Sequence, residues 1–274
     1  MVSRVVSNGD VEVPTIGLGT WRLTGNRCRR AVETALDLGY RHVDTAQRYG
    51  NERAVGLALA ASDVPREEVF LTTKVFGTNA GYDDVLDSTE ESLDRLGVDR
   101  VDLLLLHWPN PLVDVEETMA AMNRLREEGK ARHLGVSNFS RRQFAAARAA
   151  SDAPLVTNQV QFHPYNPQRE LLRYCQDEGV LLTAYSPLAH GGVIHDDTLT
   201  EIGARYGKTP AQVALRWAIQ HRNVLAIPKA SSRAHVAENL DVFDFELSRA
   251  EMETVTNASP FRTGLAWVRG RLGV

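Results

Sequence analysis

Asp44, Tyr49 and Lys74 supply a carboxylate, a phenol and an ammonium, a trio that can form one proton-transfer site if the fold brings them together. Asp44 closes the short apolar run His42-Val43-Asp44, and Lys74 closes Val69-Phe70-Leu71-Thr72-Thr73-Lys74. A third run, Val101 to Leu106, stops at His107. Short apolar runs bounded by polar residues read as buried strands. Barrels and open α/β sheets place their chemistry where such strands meet the following loops.

The elements needed to hold these ends are legible along most of the chain. Strands are predicted at Thr15 to Leu18, His42 to Asp44, Phe70 to Lys74, Val101 to His107, His133 to Val136, Asn158 to Gln161, Leu181 to Tyr185 and Val224 to Ile227. Helical periodicity fills the gaps, at Arg27 to Leu38, Glu52 to Ala60, Asp83 to Leu96, Val115 to Glu128, Arg141 to Ala149, Pro167 to Asp177 and Pro210 to Gln220. Eight strand-helix units in roughly 250 residues match an α/β fold of the (β/α)8, or TIM barrel, type. Val5 to Val13 reads as a β-hairpin around Asn8-Gly9 that could plug one end of the barrel. The tail from Pro260 to Val274, with Trp267, is short, so any C-terminal lid would be small. Residues 1–274 are expected to form a single domain without repeats or linkers.

Composition narrows the function classes. The chain is 43% hydrophobic and 24% charged, with a net charge of -4 spread over interspersed residues. No basic stripe points to nucleic acid or an anionic membrane, so small molecules are the expected partners. The start Met1-Val2-Ser3-Arg4 carries no apolar leader, and no apolar run is long enough to span a bilayer, which reads as cytoplasmic. Cys28 and Cys175 lack any CxxC spacing and read as reduced, inert thiols. The histidines show no HExxH or paired His/Cys spacing, so no metal site is expected.

Two weak motifs fall away. Gly203 to Thr209 has one residue too few between its glycines for a phosphate-cradling loop and reads as a helix end followed by a capping box, Thr209-Pro210-Ala211-Gln212. Gly17-Leu18-Gly19-Thr20-Trp21 lacks the third glycine of a dinucleotide fingerprint.

The segment Gly39-Tyr40-Arg41-His42-Val43-Asp44-Thr45-Ala46-Gln47-Arg48-Tyr49-Gly50-Asn51-Glu52 resembles the aldo-keto reductase family, in its prokaryotic type like diketogluconate and methylglyoxal reductases. So do Leu106-His107-Trp108-Pro109, Gly135 to Phe139, Gln159-Val160-Gln161, Ala184 to Leu188 and Ile227-Pro228-Lys229, in that family's order over nearly the whole chain. The resemblance implies Asp44, Tyr49, Lys74 and His107 as a catalytic tetrad, with hydride passing from a nicotinamide to a carbonyl carbon. On that reading Lys74 stabilises a Tyr49 phenolate, Asp44 keeps Lys74 protonated and aimed, and His107 orients the substrate oxygen or relays a proton. Taken singly, each has a plainer role: a solvated cap, a structural ion pair, a loop anchor, a core histidine.

For the cofactor, the resemblance implies Ser137, Asn138 and Gln159 on a carboxamide and Tyr185 on the nicotinamide face. Thr20, Trp21, Asp44, Ser186, Leu188 and Ile227 would line the same path. Lys229, Ser231, Ser232, His235, Glu238 and Asn239 would hold the adenosine end. Lys229 is the expected partner of the 2′-phosphate of NADPH/NADP+. Ala230 and His235 depart from the family's usual Ser and Arg, with Arg233 as an expected compensation, so NADP(H) is favoured and NADH is possible. Trp21, Tyr49, Phe76, His107 and Trp108 would wall the pocket of a small-molecule carbonyl substrate. The expectation is a monomeric alcohol:NADP+ oxidoreductase. The alternatives are a nicotinamide-binding regulatory or sensor subunit on the same barrel, or an unrelated barrel enzyme such as an isomerase.

Overall fold

The computed structural model describes residues 4–9 and 11–258. The tail expected as a small lid, and Asp10 of the hairpin turn, lie outside the described residues.

The first two strands, β1 (Val5–Asn8) and β2 (Val11–Pro14), pair antiparallel with Asn8 opposite Val11. They form the expected hairpin. Eight parallel strands follow in sequence order: β3 (Leu18–Gly19), β4 (His42–Asp44), β5 (Phe70–Val75), β6 (Val101–Leu106), β7 (Ala131–Ser137), β8 (Leu155–Gln161), β9 (Leu181–Tyr185) and β10 (Val224–Ile227). The sheet closes through a parallel bridge between Ile16 and Ala226, supported by Gly17 N–H to Ala226 O and Ala226 N–H to Thr15 O, both 2.9 Å. The chain is therefore a (β/α)8 barrel.

The predicted first strand, Thr15 to Leu18, is displaced to Leu18–Gly19 for a physical reason. Thr15 O, Ile16 and Gly17 N–H pair with Ala226 of β10, and Thr15 N–H bonds to the Arg4 carbonyl at 2.9 Å, while Leu18 and Gly19 pair with β4. One short segment thus serves two neighbours in succession.

Helices cover the barrel: α1 (Gly25–Asp37), α2 (Glu52–Ala61), α3 (Tyr82–Leu96), α4 (Val115–Glu127), α5 (Arg141–Ala150), α6 (Arg169–Asp177), α7 (Asp197–Tyr206), α8 (Pro210–Gln220), α9 (Arg233–Leu240) and α10 (Arg249–Thr256). Two of these, α7 and α10, are absent from the sequence reading, and α9 corresponds to a helical stretch that the sequence places after Lys229 to Ser232 without bounds. The helix predicted from Pro167 begins at Arg169 because Gln168 is left-handed, with φ 40°. At α8 the predicted box forms, with Thr209 accepting from Gln212 N–H and the Gln212 side chain reaching back.

The hairpin fills the end of the barrel opposite the loops that follow the strands. Val11 and Val13 pack against Leu103, Leu105, Val156, Leu181 and Leu225 from the barrel interior. Burying each valine stabilises by roughly 1.5–3 kcal/mol. The same layering explains what sits above this floor. Leu103 and Leu105 stand opposite Thr72 and Lys74 across the β5–β6 ladder, so Lys74 projects inward one layer above Thr72.

Candidate active site

The barrel brings the predicted carboxylate, ammonium and phenol together at the C-terminal ends of its strands. Lys74 Nζ donates to Asp44 Oδ1 at 2.5 Å and to the Thr45 carbonyl at 2.8 Å, and lies 3.4 Å from the Tyr49 hydroxyl. Lys74 is wholly buried and Asp44 is 1% exposed. Burial disfavours the charge on Lys74, but Asp44 and Tyr49 together, through charge and hydrogen bonds, outweigh it and the lysine pKa is raised. Tyr49 rides on a 3₁₀ turn, Gln47–Tyr49, directly after β4, which carries its ring over the ammonium at 4.9 Å from the centroid.

The Tyr49 pKa departs from the expectation. Burial raises it, Lys74 opposes that rise, Asp44 adds to it, and the net shift is upward. The phenol is therefore held as the acid rather than the phenolate, because desolvation outweighs the neighbouring cation.

His107 follows β6, and its N–H bonds to Val75 O at 3.0 Å. Its ring meets Tyr49 edge-on at 5.7 Å and Phe76 at 6.4 Å. Burial, then the charges of Lys74 and Arg48, pushes its pKa down to about 3, so the ring is neutral at physiological pH. Its Nδ1 is buried and finds no hydrogen-bond partner among the described residues. A neutral imidazole can orient an oxygen by hydrogen bonding, but it is not a cationic proton source. Tyr49, Phe76 and His107 thus form one aromatic group, with Trp21 and Trp108 further out at 38% and 49% exposure. A cavity of about 450 Å³ opens beside them, between Trp108, Asn138, Ser140, Arg141, Gln161 and Tyr185.

Across the barrel, Gln159 donates its amide to Asp44 Oδ2 at 2.7 Å, so Asp44 is gripped on both oxygens. Asn138, in the left-handed region at φ 64°, donates to His107 O and Ser137 Oγ at 3.0 Å each and accepts from the Tyr185 hydroxyl at 2.9 Å. Ser137 in turn donates to Gln159 O at 2.9 Å. The residues expected around a carboxamide form one network in the protein itself. Thr20 donates to the Asp44 carbonyl at 2.9 Å, and Ser186, at φ 47°, turns the chain after β9 towards Leu188, which packs on the core.

The end of β10 supplies the remaining predicted positions. Ile227 is buried, and its carbonyl lies 2.6 Å from where a side chain on Gly19 would begin, so only glycine lets the two loops meet. Lys229 follows, exposed. Ser231 accepts from Arg27 Nη2 at 2.9 Å. Ser232 caps α9 by accepting from His235 N–H, and His235 is exposed. Arg233 faces Asp37 at 3.9 Å, Glu238 accepts from Thr209 Oγ1 at 2.5 Å, and Asn239 is buried.

A profile of the aldo/keto reductase family matches residues 15–260. The chain belongs to that family. It is 41% identical over 261 residues to an aldo-keto reductase of Mycolicibacterium smegmatis, covering 94% of each chain. It is also 41% identical over 246 residues to a glyoxal reductase of Bacillus subtilis, covering 89% of this chain and 88% of the relative. Among solved structures, a putative 2,5-diketo-D-gluconic acid reductase B superposes with a TM-score of 0.92 at 46% identity, covering 96% of this chain and 93% of that one. As a member of an aldo/keto reductase family, the protein is an oxidoreductase of carbonyl-reducing type, and nothing in these relatives favours a regulatory subunit.

Three supporting residues of this reductase escape the sequence reading. Asn51 accepts from Thr45 and donates to the carbonyls of Thr20 and Leu23, tying the loops after β3 and β4 together. Gln47 accepts from Phe76 N–H at 2.8 Å and donates to Ser88 O, which fixes the loop after β5. Arg27 reaches Ser231 from the other side of the barrel closure. Asn51 and Gln47 lie within a recognisable motif and Arg27 lies outside any, but none shows its partner in sequence. Among the described residues there is no cluster able to hold a metal ion and no helix long and apolar enough to cross a membrane.

Proposed function

We propose that the chain, acting as one unit, reduces small aldehydes or ketones with NADPH, Tyr49 donating the proton to the carbonyl oxygen. The observation that carries this reading is the buried Lys74, locked to Asp44 and 3.4 Å from the Tyr49 hydroxyl. When bound, the nicotinamide supplies the hydride that ends on the carbonyl carbon. The residues present fit such a group: Tyr185 offers an aromatic face, the Gln159 amide oxygen remains for a carboxamide N–H, and the exposed cation Lys229 stands at the far end.

On this reading Tyr49 is poised as an acid because burial keeps it protonated, and Lys74 stabilises the phenolate left when the proton departs. Asp44 keeps Lys74 charged through that change. The neutral His107 donates a hydrogen bond that aligns the carbonyl oxygen with Tyr49. Preorganised donors then meet the developing negative charge in a site largely shielded from water. The glyoxal reductase relative favours small dicarbonyls among the substrates. NADH serves as a weaker alternative cofactor because His235 stands in place of the arginine expected there.

NADPH oxidation by the purified protein, measured against a carbonyl panel including methylglyoxal and a nitrobenzaldehyde, tests the reading. Tyr49→Phe is expected to lower turnover by at least about a hundredfold while NADPH affinity stays within about twofold. Tight NADPH binding without turnover by the unaltered protein across the panel would count against a reductase and for a sensor.

A further inference from the structure

Arg27 and Lys229 both lie near Ser231 where the loops after β3 and β10 come together, and among the described residues neither has an acidic partner. Arg27, on the first turn of α1, donates through Nη2 to Ser231, a residue 204 positions away in sequence. Among the described residues no ion pair engages Arg27 or Lys229, whereas Arg29, also on α1, pairs with Glu33. Partial burial lowers the Lys229 pKa, and the nearby charges of Arg27 and then Arg22 lower it further. Like charges held this close without a counter-charge call for an anion.

Why Arg27 arrives there follows from the barrel. Gly19 lets β3 lie against the Ile227 carbonyl, and Tyr40 Oη donates to Val236 O at 3.0 Å, so α1 and α9 are fastened side by side at the closure. Arg233, the residue expected to compensate for His235, leans instead towards Asp37 on α1. Arg22 is stacked on Trp21 at 4.3 Å. Arg27 spends one guanidinium nitrogen on Ser231 and keeps the rest of its planar fork for a ligand.

We propose that Arg27, together with Lys229 and the Ser231 hydroxyl, forms the 2′-phosphate site that selects NADPH over NADH, taking over from α1 the cationic role that position 235 lacks. This rests on the reductase reading above. It assigns cofactor selectivity to a helix that the sequence reading left out of the site. A phosphate there accepts from the free guanidinium donors, and the Ser231 contact fixes the approach of the arginine.

The test compares affinities for NADPH and NADH, by quenching of intrinsic fluorescence, in the unaltered protein, Arg27→Ala and Arg27→Lys. Arg27 is exposed, so both variants are expected to fold, with circular dichroism as the check. Removing the charge is expected to weaken NADPH about tenfold while NADH changes less than about twofold, and lysine is expected to restore much of the loss. 2′-AMP, which carries the phosphate alone, is expected to lose affinity in parallel with NADPH. Equal losses for both nucleotides would make Arg27 a clasp for the loop and overturn the proposal, as would no loss for either. Failure of the unaltered protein to bind either nucleotide would instead overturn the reductase reading itself.

Discussion

At the scale of single residues, the Asp44–Lys74 pair is expected to couple stability to activity. Lys74→Met leaves Asp44 buried without its cation, which is expected to destabilise by about 3–5 kcal/mol in urea denaturation. Adding Asp44→Asn is expected to recover much of that stability but none of the turnover, since no cation then faces the phenolate. Full recovery of turnover in the double variant would remove Lys74 from the chemistry. The pH profile follows from the same neighbourhood. Tyr49 is raised above the usual phenol value, so kcat/KM for reduction is expected to hold level from about pH 6 to about pH 9 and to fall only as the phenol ionises. His107, at about 3, is neutral throughout and contributes no break near pH 6.5; a break there that His107→Asn abolishes would contradict this. The types and strand-end positions of these four residues are legible in the sequence. The direction of the Tyr49 shift is not, because it depends on how much water the fold removes, and a string of residue types carries no record of that. Arg27 stays hidden for a different reason: its partner is determined by ring closure.

At the scale of elements, α2 and α3 cross at Gly56, where an added side chain would fall on the Leu96 carbonyl. In an exposed helix Gly→Ala stabilises by about 1 kcal/mol. Here the carbonyl belongs to backbone and cannot swing aside, so Gly56→Ala is expected to destabilise by about 1–3 kcal/mol in thermal or urea unfolding. A gain in stability would show that the two helices can separate freely. Local signals reveal elements when the chemistry is local. Thr209 and Gln212 mark the start of α8 because a capping box is written within four residues. Helix α7 is obscured by Gly203, which a propensity reading takes as a breaker, although the structure needs it to admit the Lys208 carbonyl. The β3 boundary fails similarly, since residues 15–17 take their sheet partner, Ala226, from β10 at the far end of the chain.

For the whole molecule, the interior sets an acid limit on stability. Burial pushes His42, His163 and His221 down to about 4, and His107 to about 3. These rings stay neutral in the folded chain while the unfolded chain takes up protons below its ordinary value near 6.5. Unfolding therefore binds protons between those limits, and stability is lost as pH falls from about 6.5 towards 4. Tm is expected to decline steadily over that window, and a level Tm between about pH 6.5 and pH 5 would show that the histidines are hydrated. The eight-unit plan was readable because strand and helix periods alternate locally, and the hairpin because its turn is local. The packing of that hairpin has a kinetic corollary. With Val11 and Val13 seated among Leu103, Leu105 and Leu225, that end of the barrel is closed. On the proposed function, cofactor and carbonyl would both arrive from the loop side, and the guest that settles deeper would enter first and depart last.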